Sequence, residues 1–157
     1  MRRSIQVAMA LTATGFVSAS RARAQTVSTP HKQVINRPDP RPGVLSTAVR
    51  VGDLVFLSGV MGTKPEGGGL AEGGIEGQTR QALENVKSAL ALAGVTLEDV
   101  AKCTVFLTDA ANFQAMNKVY REFFPASPPA RSTVAVAALV VPNALIEIEC
   151  TAAAPTK

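Results

Sequence analysis

The order of predicted secondary structure is the feature that most constrains this chain. Apolar residues recur every three to four positions over 75–93, and again in a segment that ends near Phe124, which predicts two amphipathic helices. Aliphatic runs bounded by glycine, proline or aspartate predict strands. The predicted strands are at 46–51, 54–60, 100–107, 128–136 and 144–150. The chain therefore has the order β-β-α-β-α-β-β, which is typical of a single α+β domain.

Two helices can cover only one face of a sheet. The strand at 100–107 alternates, with Cys103 and Val105 on one face and Thr104 and Phe106 on the other. Apolar side chains therefore occur on both faces, and the predicted elements leave nothing to bury the second one. The simplest solution is another copy of the same chain, so we expect a homo-oligomer.

The formal net charge of +4 comes entirely from the N-terminal segment. Residues 1–24 contain four arginines and no acidic residue, so residues 25–157 carry balanced charge. A balanced chain lacks the basic excess that is typical of nucleic-acid binding, and its single histidine gives little support for ribonuclease activity. We therefore predict no nucleic-acid partner.

The same segment has the three parts of an export signal. Met1–Ser4 is cationic, Ile5–Ala19 is mostly apolar, and Ala22–Ala24 has small residues at the positions that precede a cleavage site. We predict a signal peptide at 1–24, cleaved after Ala24, and a periplasmic or secreted mature protein outside the membrane. Both the Sec and the twin-arginine routes fit. An amphipathic or disordered extension is the alternative interpretation.

A proline-rich stretch follows the predicted signal. Four prolines occur between Ser28 and Pro42, a density that blocks helix and central strand. We predict an irregular arm at 25–43 and a folded domain at 44–157. His31 lies in this arm with no partner nearby in the sequence, so we assign it no catalytic or metal-binding role.

The two cysteines lie in separate predicted strands. Export would place Cys103 and Cys150 in an oxidising compartment. A disulfide requires neighbouring strands with matched Cβ positions, however, and the sequence does not show this. We therefore expect two buried, unpaired thiols. Their spacing matches no metal motif and no Ser-His-Asp set occurs, so we predict a site without metal or cofactor.

Arg131 is the one charged residue in the apolar strand that begins at Pro128-Pro129. A guanidinium keeps its charge when it is partly buried, and it binds a carboxylate through two parallel hydrogen bonds. Arg131 is therefore a candidate for recognition of a small acid. A structural salt bridge to a glutamate is the alternative.

Glu147 and Glu149 alternate with apolar residues and lie on one side of the last strand. If this strand meets the strand of Arg131, one carboxylate can pair with the arginine. The other can then accept a proton from a bound water. The alternative is that both carboxylates are structural charges.

Several short motifs resemble, in order and spacing, the RidA/YjgF family of reactive-intermediate deaminases over about residues 45–155. The matching segments are Gly52–Gly59, Gln78–Val86, Lys102–Phe106 with Asp109, Asn117–Tyr120 with Phe123-Phe124, Pro129–Ser132 and Ile146–Glu149. The resemblance implies a chorismate-mutase-like fold: a mixed sheet with two helices on one face, assembled as a homotrimer with the sheets facing inward. It also implies hydrolysis of 2-imino acids or their enamine tautomers to 2-keto acids and ammonia, as in 2-iminobutanoate/2-iminopropanoate deaminases.

The resemblance also implies a role for each matching residue. Arg131 would bind the substrate carboxylate, the backbone of Thr133 would contact the imine nitrogen, and Glu147 would hold and activate the attacking water. The cleft would be lined further, partly from the neighbouring subunit, by Ser58, Gly59 and Asn117. An imine carbon is already electrophilic, so such a site needs mainly to fix the carboxylate and place a water.

Two positions depart from the family pattern. Leu45 aligns where many deaminating members carry a tyrosine, and 139–143 contains one extra residue between the strands of Arg131 and Glu147. The first change removes a hydroxyl from the cleft. The second either shifts Glu147 relative to Arg131 or is absorbed in the turn. The alternative function is therefore a non-catalytic trimer of the same fold that binds a small carboxylate or shields unfolded proteins.

Overall fold

The computed structural model of the protein describes residues 31–38 and 43–154. Within these ranges the chain forms one sheet of seven strands and two α-helices. In chain order the elements are β1 (Lys32–Ile35), β2 (Ala48–Val51), β3 (Leu54–Leu57), β4 (Val60–Met61), α1 (Gly74–Leu92), β5 (Val100–Leu107), α2 (Phe113–Phe123), β6 (Ala130–Ala135) and β7 (Ile146–Ala153). The predicted elements are all present, the predicted strand at 54–60 is divided into β3 and β4, and the structure adds β1.

The order of strands across the sheet is β1-β2-β3-β7-β5-β6, and β4 also pairs with β7. All pairs are antiparallel except β5 with β6, which are parallel. The sheet is therefore mixed, as the family resemblance implies. The strands of Arg131 and Glu147, β6 and β7, do not meet, because β5 lies between them. The condition under which a carboxylate of β7 could pair with Arg131 by direct contact of the two strands is therefore not met within a single chain.

A bulge divides the predicted strand at 54–60 into β3 and β4. The ladder with β7 includes the pair Phe56 and Thr151 and resumes at the pair Val60 and Ile148. The segment from Phe56 to Val60 therefore contains one more residue than the facing segment of β7 from Ile148 to Thr151. The chain therefore bulges at Ser58-Gly59, and bulges commonly occur next to functional sites.

Two glycines end elements where the sequence predicts it. Gly52 has a φ of 58° in the turn that joins β2 to β3, which confirms the predicted hairpin. Gly94 has a φ of 72° just after α1, and the amide of Val95 donates to the Leu90 carbonyl at 3.1 Å. Glycine adopts this left-handed conformation without a Cβ penalty, so it stops the helix cleanly.

Both helices lie on one face of the sheet, as predicted. α1 packs on β3, β4 and β7, and α2 packs beside α1. Leu83, Val105 and Ile148 are fully buried between the layers. No helix in the described ranges has both the length and the hydrophobicity needed to cross a membrane.

The opposite face of the sheet is open in the single chain. Leu54, Phe56 and Val134 project from it, and each is 44% exposed. In β3, Leu54 and Phe56 alternate with the buried Val55 and Leu57, as expected for a strand with one covered and one open face. Apolar side chains on a sheet face favour burial against a partner.

Part of the arm that was predicted to be irregular is a strand. β1 pairs antiparallel with β2 at the edge of the sheet. Proline is excluded from central strands, but it tolerates positions beside an edge strand, and here Pro38 follows β1. Residues 25–30 and 39–42 of the arm and the predicted signal peptide at 1–24 lie outside the described residues.

Cys103 and Cys150 form a disulfide, so the prediction of unpaired thiols was wrong. β5 and β7 are antiparallel neighbours, and their register places the two cysteines directly opposite each other. Both side chains lie on the helix-covered face and are at most 3% exposed. A disulfide depends on which strands are neighbours, and the sequence did not supply that information.

Candidate functional site

Arg131 projects from the edge strand β6 toward α2, on the helix-covered face. It is the register partner of Cys103 on β5. Its Nη2 donates a hydrogen bond to Asn117 Oδ1 at 2.6 Å. None of the salt bridges in the described part of the chain includes Arg131, so the structural ion pair considered above is not formed there. The guanidinium therefore keeps donors available for a ligand.

Aromatic rings frame this guanidinium. Arg131 Cζ lies 4.5 Å from the centroid of the Tyr120 ring and 5.8 Å from that of Phe113. Burial raises the pKa of Tyr120 to about 12, and the charge of Arg131 partly offsets this effect. The phenol is therefore neutral near pH 7, and its face stabilises the guanidinium by a cation–π interaction.

Two buried hydroxyls near Arg131 have no hydrogen-bond partner among the described residues. They are Tyr120 Oη and Thr133 Oγ1. Thr133 lies two residues after Arg131 on β6, so both side chains leave the strand on the same face. An unmade hydrogen bond on a buried hydroxyl costs about 1–3 kcal/mol, which makes this region a candidate for ligand binding.

A cleft of about 510 Å³ opens beside Arg131. Its walls come from the C-terminal turns of α2 and from the proline-rich segment that leads into β6. The lining residues are Asn117, Tyr120, Arg121, Phe124, Pro125, Pro128, Pro129 and Arg131. The volume is suitable for a small ligand, and the lining includes two arginines and no acidic residue.

Glu147 lies on the other face of the sheet, half-buried beside the bulge. Its cross-strand neighbours are Met61 on β4 and Phe106 on β5. Gly59 makes room for it: a Cβ on Gly59 would overlap Glu147 Oε1 and lie 2.9 Å from its Cδ. The bulge thus places a residue without a side chain directly against the carboxylate.

Gln78 is a buried polar residue of α1 that holds the segment before Glu147. Its Nε2 donates to the Asn143 carbonyl at 3.2 Å, and its Oε1 accepts from the Leu145 amide at 2.8 Å. The sequence reasoning gave no role to Gln78. The sequence does contain an indication of this role, because Gln78 is a polar residue on the apolar side of an amphipathic helix.

Asn85, also on α1, holds β4, the strand that lies beside Glu147. Its Nδ2 donates to the carbonyls of Met61 and Thr63 at 3.0 and 2.8 Å. Gln81 Nε2 in turn donates to Asn85 Oδ1 at 3.1 Å and orients the amide. α1 therefore fixes both backbone segments that flank the carboxylate.

The segment 139–143 forms part of the connection between β6 and β7. Asn143 adopts a φ of 64°, and the Ala144 amide donates to the Val141 carbonyl at 3.1 Å. β5 and β7 then pair without interruption from Lys102 to Leu107, and this stretch includes the partner of Glu147.

The start of the β2–β3 hairpin lies close to the bulge. Ser58 Oγ donates to the Ser46 carbonyl at 2.7 Å, which ties the bulge to the segment before β2. Leu45 precedes this contact and is 66% exposed. This position contributes an apolar side chain where the family resemblance leads us to expect a hydroxyl.

The predicted site residues thus form two groups. The group on the helix-covered face consists of Arg131, Asn117 and Thr133. The group around the bulge consists of Glu147, Gly59 and Ser58. The structure brings the members of each group together but separates the two groups by the thickness of the sheet. No cluster of three or more His, Cys, Asp or Glu side chains suited to a metal occurs in 31–38 or 43–154.

Comparison with known proteins gives one family. The family model described as Endoribonuclease L-PSP matches residues 34–154. The chain is 43% identical over 136 residues to Reactive Intermediate Deaminase A, chloroplastic, of Arabidopsis thaliana, an alignment that covers 87% of this chain and 69% of the relative. It is 40% identical over 120 residues to 2-iminobutanoate/2-iminopropanoate deaminase of Dermatophagoides farinae, with 75% and 93% covered.

The fold is likewise shared with solved structures. The crystal structure of E. coli TdcF with bound serine matches with a TM-score of 0.71 and 35% identity, and the match covers 78% of this chain and 99% of that one. The family match at residues 34–154 spans both helices and both groups of site residues.

Proposed function

This chain belongs to the RidA/YjgF family, and from that premise we propose that it hydrolyses reactive 2-imino acids and their enamine tautomers to 2-keto acids and ammonia. The observation that carries the proposal is Arg131, a guanidinium with no ion-pair partner in the described chain, held at a small cleft by Asn117 and Tyr120. Relatives named as deaminases of this kind support the same reaction class.

Arg131 would bind the substrate carboxylate. The hydrogen bond to Asn117 and the contact with the Tyr120 ring fix the plane of the guanidinium, so little rotamer freedom is lost when a carboxylate binds. The backbone of Thr133, two residues along β6, would contact the imine nitrogen. The serine bound to TdcF is a small molecule with both a carboxylate and a nitrogen, which supports a ligand of this size.

Glu147 would supply the base. In the proposed step a water oxygen forms a bond to the imine carbon while the carboxylate accepts a proton from that water. The C=N π electron pair moves to the nitrogen, which takes up the proton held by Glu147 and a second proton from the newly attached hydroxyl. The C–N bond then breaks, ammonia leaves, and the remaining oxygen becomes the keto oxygen. Ser58 and Gly59 would line the same end of the cleft, next to the carboxylate.

We propose that the active site forms between copies of the chain in a homotrimer. A single chain keeps Arg131 and Glu147 on opposite faces of its sheet. The open face bears exposed Leu54 and Phe56, which a neighbouring copy would bury. A closed ring of copies would give each cleft an arginine from one chain and a carboxylate from the next.

The alternative is a non-catalytic trimer that binds a small carboxylate or shields unfolded proteins. Leu45 favours this alternative, because it offers no hydroxyl at the position where many deaminating members carry a tyrosine. Both functions use the Arg131 cleft, but only the deaminase converts its ligand to a product. Binding of a 2-keto acid without acceleration of imine hydrolysis would select the alternative.

The decisive assay generates 2-iminopropanoate from alanine with an amino-acid oxidase and follows pyruvate release. We expect the folded protein to accelerate hydrolysis over buffer, and Arg131→Ala to lower kcat/KM by about 100-fold or more. The matched control is Arg80→Ala, which removes an arginine whose partner is Glu122 on the helix surface. A folded wild-type protein that gives no acceleration would refute the deaminase.

We also propose that the protein works outside the cytoplasm. The three-part pattern of residues 1–24 supports this location. The Cys103–Cys150 disulfide adds support, because such bonds persist in oxidising compartments. Cell fractionation with N-terminal sequencing tests the idea: we expect a mature chain that starts at Gln25, and a cytosolic chain that starts at Met1 would overturn it.

A further inference from the structure

The Arg131 cleft is lined by a second arginine that the proposed reaction does not use. Arg121 and Arg131 both line the 510 Å³ cleft. A substrate with one carboxylate requires one such group. The second cation at the same small cleft therefore needs an explanation of its own.

The helix places Arg121 in a defined relation to Arg131. Arg121 follows Asn117 by four residues on α2, so the two side chains are neighbours on one helix face, with Cβ atoms about 5–6 Å apart. Asn117 Oδ1 accepts the 2.6 Å hydrogen bond from Arg131. Arg121 thus lies one helical turn beyond the contact that fixes Arg131.

The acidic residues near α2 are engaged elsewhere. Glu122 pairs with Arg80 at 2.7 Å, and Glu76 pairs with Lys118 at 3.1 Å, both across the seam between the two helices. None of the salt bridges in the described part of the chain includes Arg121. Its charge is therefore available to a ligand in the cleft.

Apart from Asn117, the rest of the cleft lining is mainly apolar. Phe124, Pro125, Pro128 and Pro129 line the cleft along with the buried Tyr120 ring. Such a wall suits the methylene carbons of a short ligand, while the two guanidinium groups suit an anion at each end.

We propose that Arg121 binds a second carboxylate, so that the preferred substrates are 2-imino dicarboxylates such as 2-iminosuccinate and 2-iminoglutarate. These compounds form when an oxidase or dehydrogenase removes hydride from an acidic amino acid. The inference rests on the proposed deaminase function and names its substrate class. Arg131 holds the carboxylate next to the imine, and Arg121 holds the distal one.

Kinetics with paired substrates tests the specificity. Imines are generated in situ from alanine, aspartate and glutamate with suitable oxidases, and keto-acid release gives kcat/KM for each. We expect wild type to prefer a dicarboxylic imine, and Arg121→Gln to lower kcat/KM for that imine at least about tenfold more than for 2-iminopropanoate, mainly through KM. Lys118→Gln, which removes a neighbouring cation that does not line the cleft, should leave the ratio unchanged.

The outcomes separate this inference from the proposed function. In one outcome the protein hydrolyses 2-iminopropanoate, while Arg121→Gln leaves the ratio of kcat/KM for the dicarboxylic imine to kcat/KM for 2-iminopropanoate unchanged. That result would overturn the second carboxylate site alone. A loss of thermal stability in that variant with the same ratio would assign Arg121 to the C-terminal end of α2 instead. If the folded wild type hydrolyses none of the three imines, the deaminase function fails, and the substrate class fails with it.

A binding measurement gives a readout independent of turnover. Calorimetry with 2-oxoglutarate and 2-oxobutanoate compares ligands that differ in the distal carboxylate. We expect 2-oxoglutarate to bind at least about tenfold more tightly, and Arg121→Gln to remove most of that difference. Equal affinities in the wild type would contradict the proposal.

Discussion

Arg131 and Glu147 project from opposite faces of one sheet, with the whole width of β5 between their strands. Asn117 accepts a hydrogen bond from the arginine, and the carboxylate lies against Gly59 of the bulge. One small molecule cannot touch both groups of the same chain. If the two act together, the chemistry depends on assembly.

Subunit complementation tests this directly. Arg131→Ala and Glu147→Gln should each be inactive alone, because every cleft then lacks one group. In trimers that assemble at random from both variants, about a quarter of the clefts receive an intact arginine and an intact carboxylate. We expect about that fraction of wild-type activity after the two variants are refolded together. A mixture no more active than either variant would place both groups of a cleft in the same chain.

Gly59→Ala should reduce activity with little effect on stability. The new Cβ would overlap the Glu147 carboxylate, and the end of a flexible side chain can move away more easily than the backbone. We expect kcat to fall about tenfold or more while the free energy of unfolding changes by about 0.5 kcal/mol or less. Steady-state kinetics and urea unfolding measure the two effects.

A double variant supplies the control for this argument. Glu147→Asp shortens the side chain by one methylene, so it makes room for a methyl group at position 59. Gly59→Ala should therefore cost less activity in the Glu147→Asp background than in the wild type. Additive losses would show that the two residues do not interact through this contact.

Gln78→Ala should lower both stability and activity. The variant leaves the Asn143 carbonyl and the Leu145 amide without their partner and releases the segment that leads to Glu147. We expect a loss of about 1–3 kcal/mol in unfolding free energy. Gln114→Ala, a substitution of the same kind at an exposed position of α2, should change stability by about 0.5 kcal/mol or less. Equal effects in the two variants would contradict the role of Gln78.

Much of the fold could be predicted from local sequence patterns. The features that could not be predicted depend on pairing between segments that are distant in the sequence. The helix periodicity over 75–93 and the alternation in β5 come from residues close in sequence, so they were predictable. The disulfide was not, because its formation depends on β5 and β7 being neighbours. The residue types at Arg131 and Glu147 indicated a site for a small acid, but their placement on opposite faces depends on strand order. The role of Gln78 likewise depends on a contact between residues 65 positions apart.

Removal of the disulfide should destabilise the fold. The bond joins residues 47 positions apart, and closure of a loop of this size restricts the unfolded chain. We expect the double variant Cys103→Ala with Cys150→Ala to lose about 2–5 kcal/mol of unfolding free energy. Thiol labelling of the wild type in denaturant should detect no free thiol before reduction and two after it. Two labelled thiols before reduction would show that the bond is absent.

The pKa of Tyr120 should be raised, and its ionisation can be measured separately from that of every other residue. The chain has one tyrosine and no tryptophan, so tyrosinate absorbance reports this residue alone. We expect a midpoint near pH 12, and a higher one in Arg131→Ala, because the arginine charge lowers the pKa. Above about pH 10 the unfolded chain loses this proton while the folded chain keeps it, so stability falls as pH rises from 10 through 12. Tyr120→Phe should remove this contribution, and a wild-type midpoint near 10 would contradict the burial.

The Cys103–Cys150 bond also closes a covalent ring that contains α2, β6 and the first part of β7. Both Arg131 and Glu147 lie inside this ring. The connection from β6 to β7 belongs to it as well, and there Val140 is 87% exposed, which makes the segment a natural target for proteases. A chain nicked at this point would stay one covalent species, with both fragments tethered, and would separate on a gel only after reduction. In a protease-rich compartment the protein could therefore be cut in this segment and still retain both Arg131 and Glu147 in one covalent molecule.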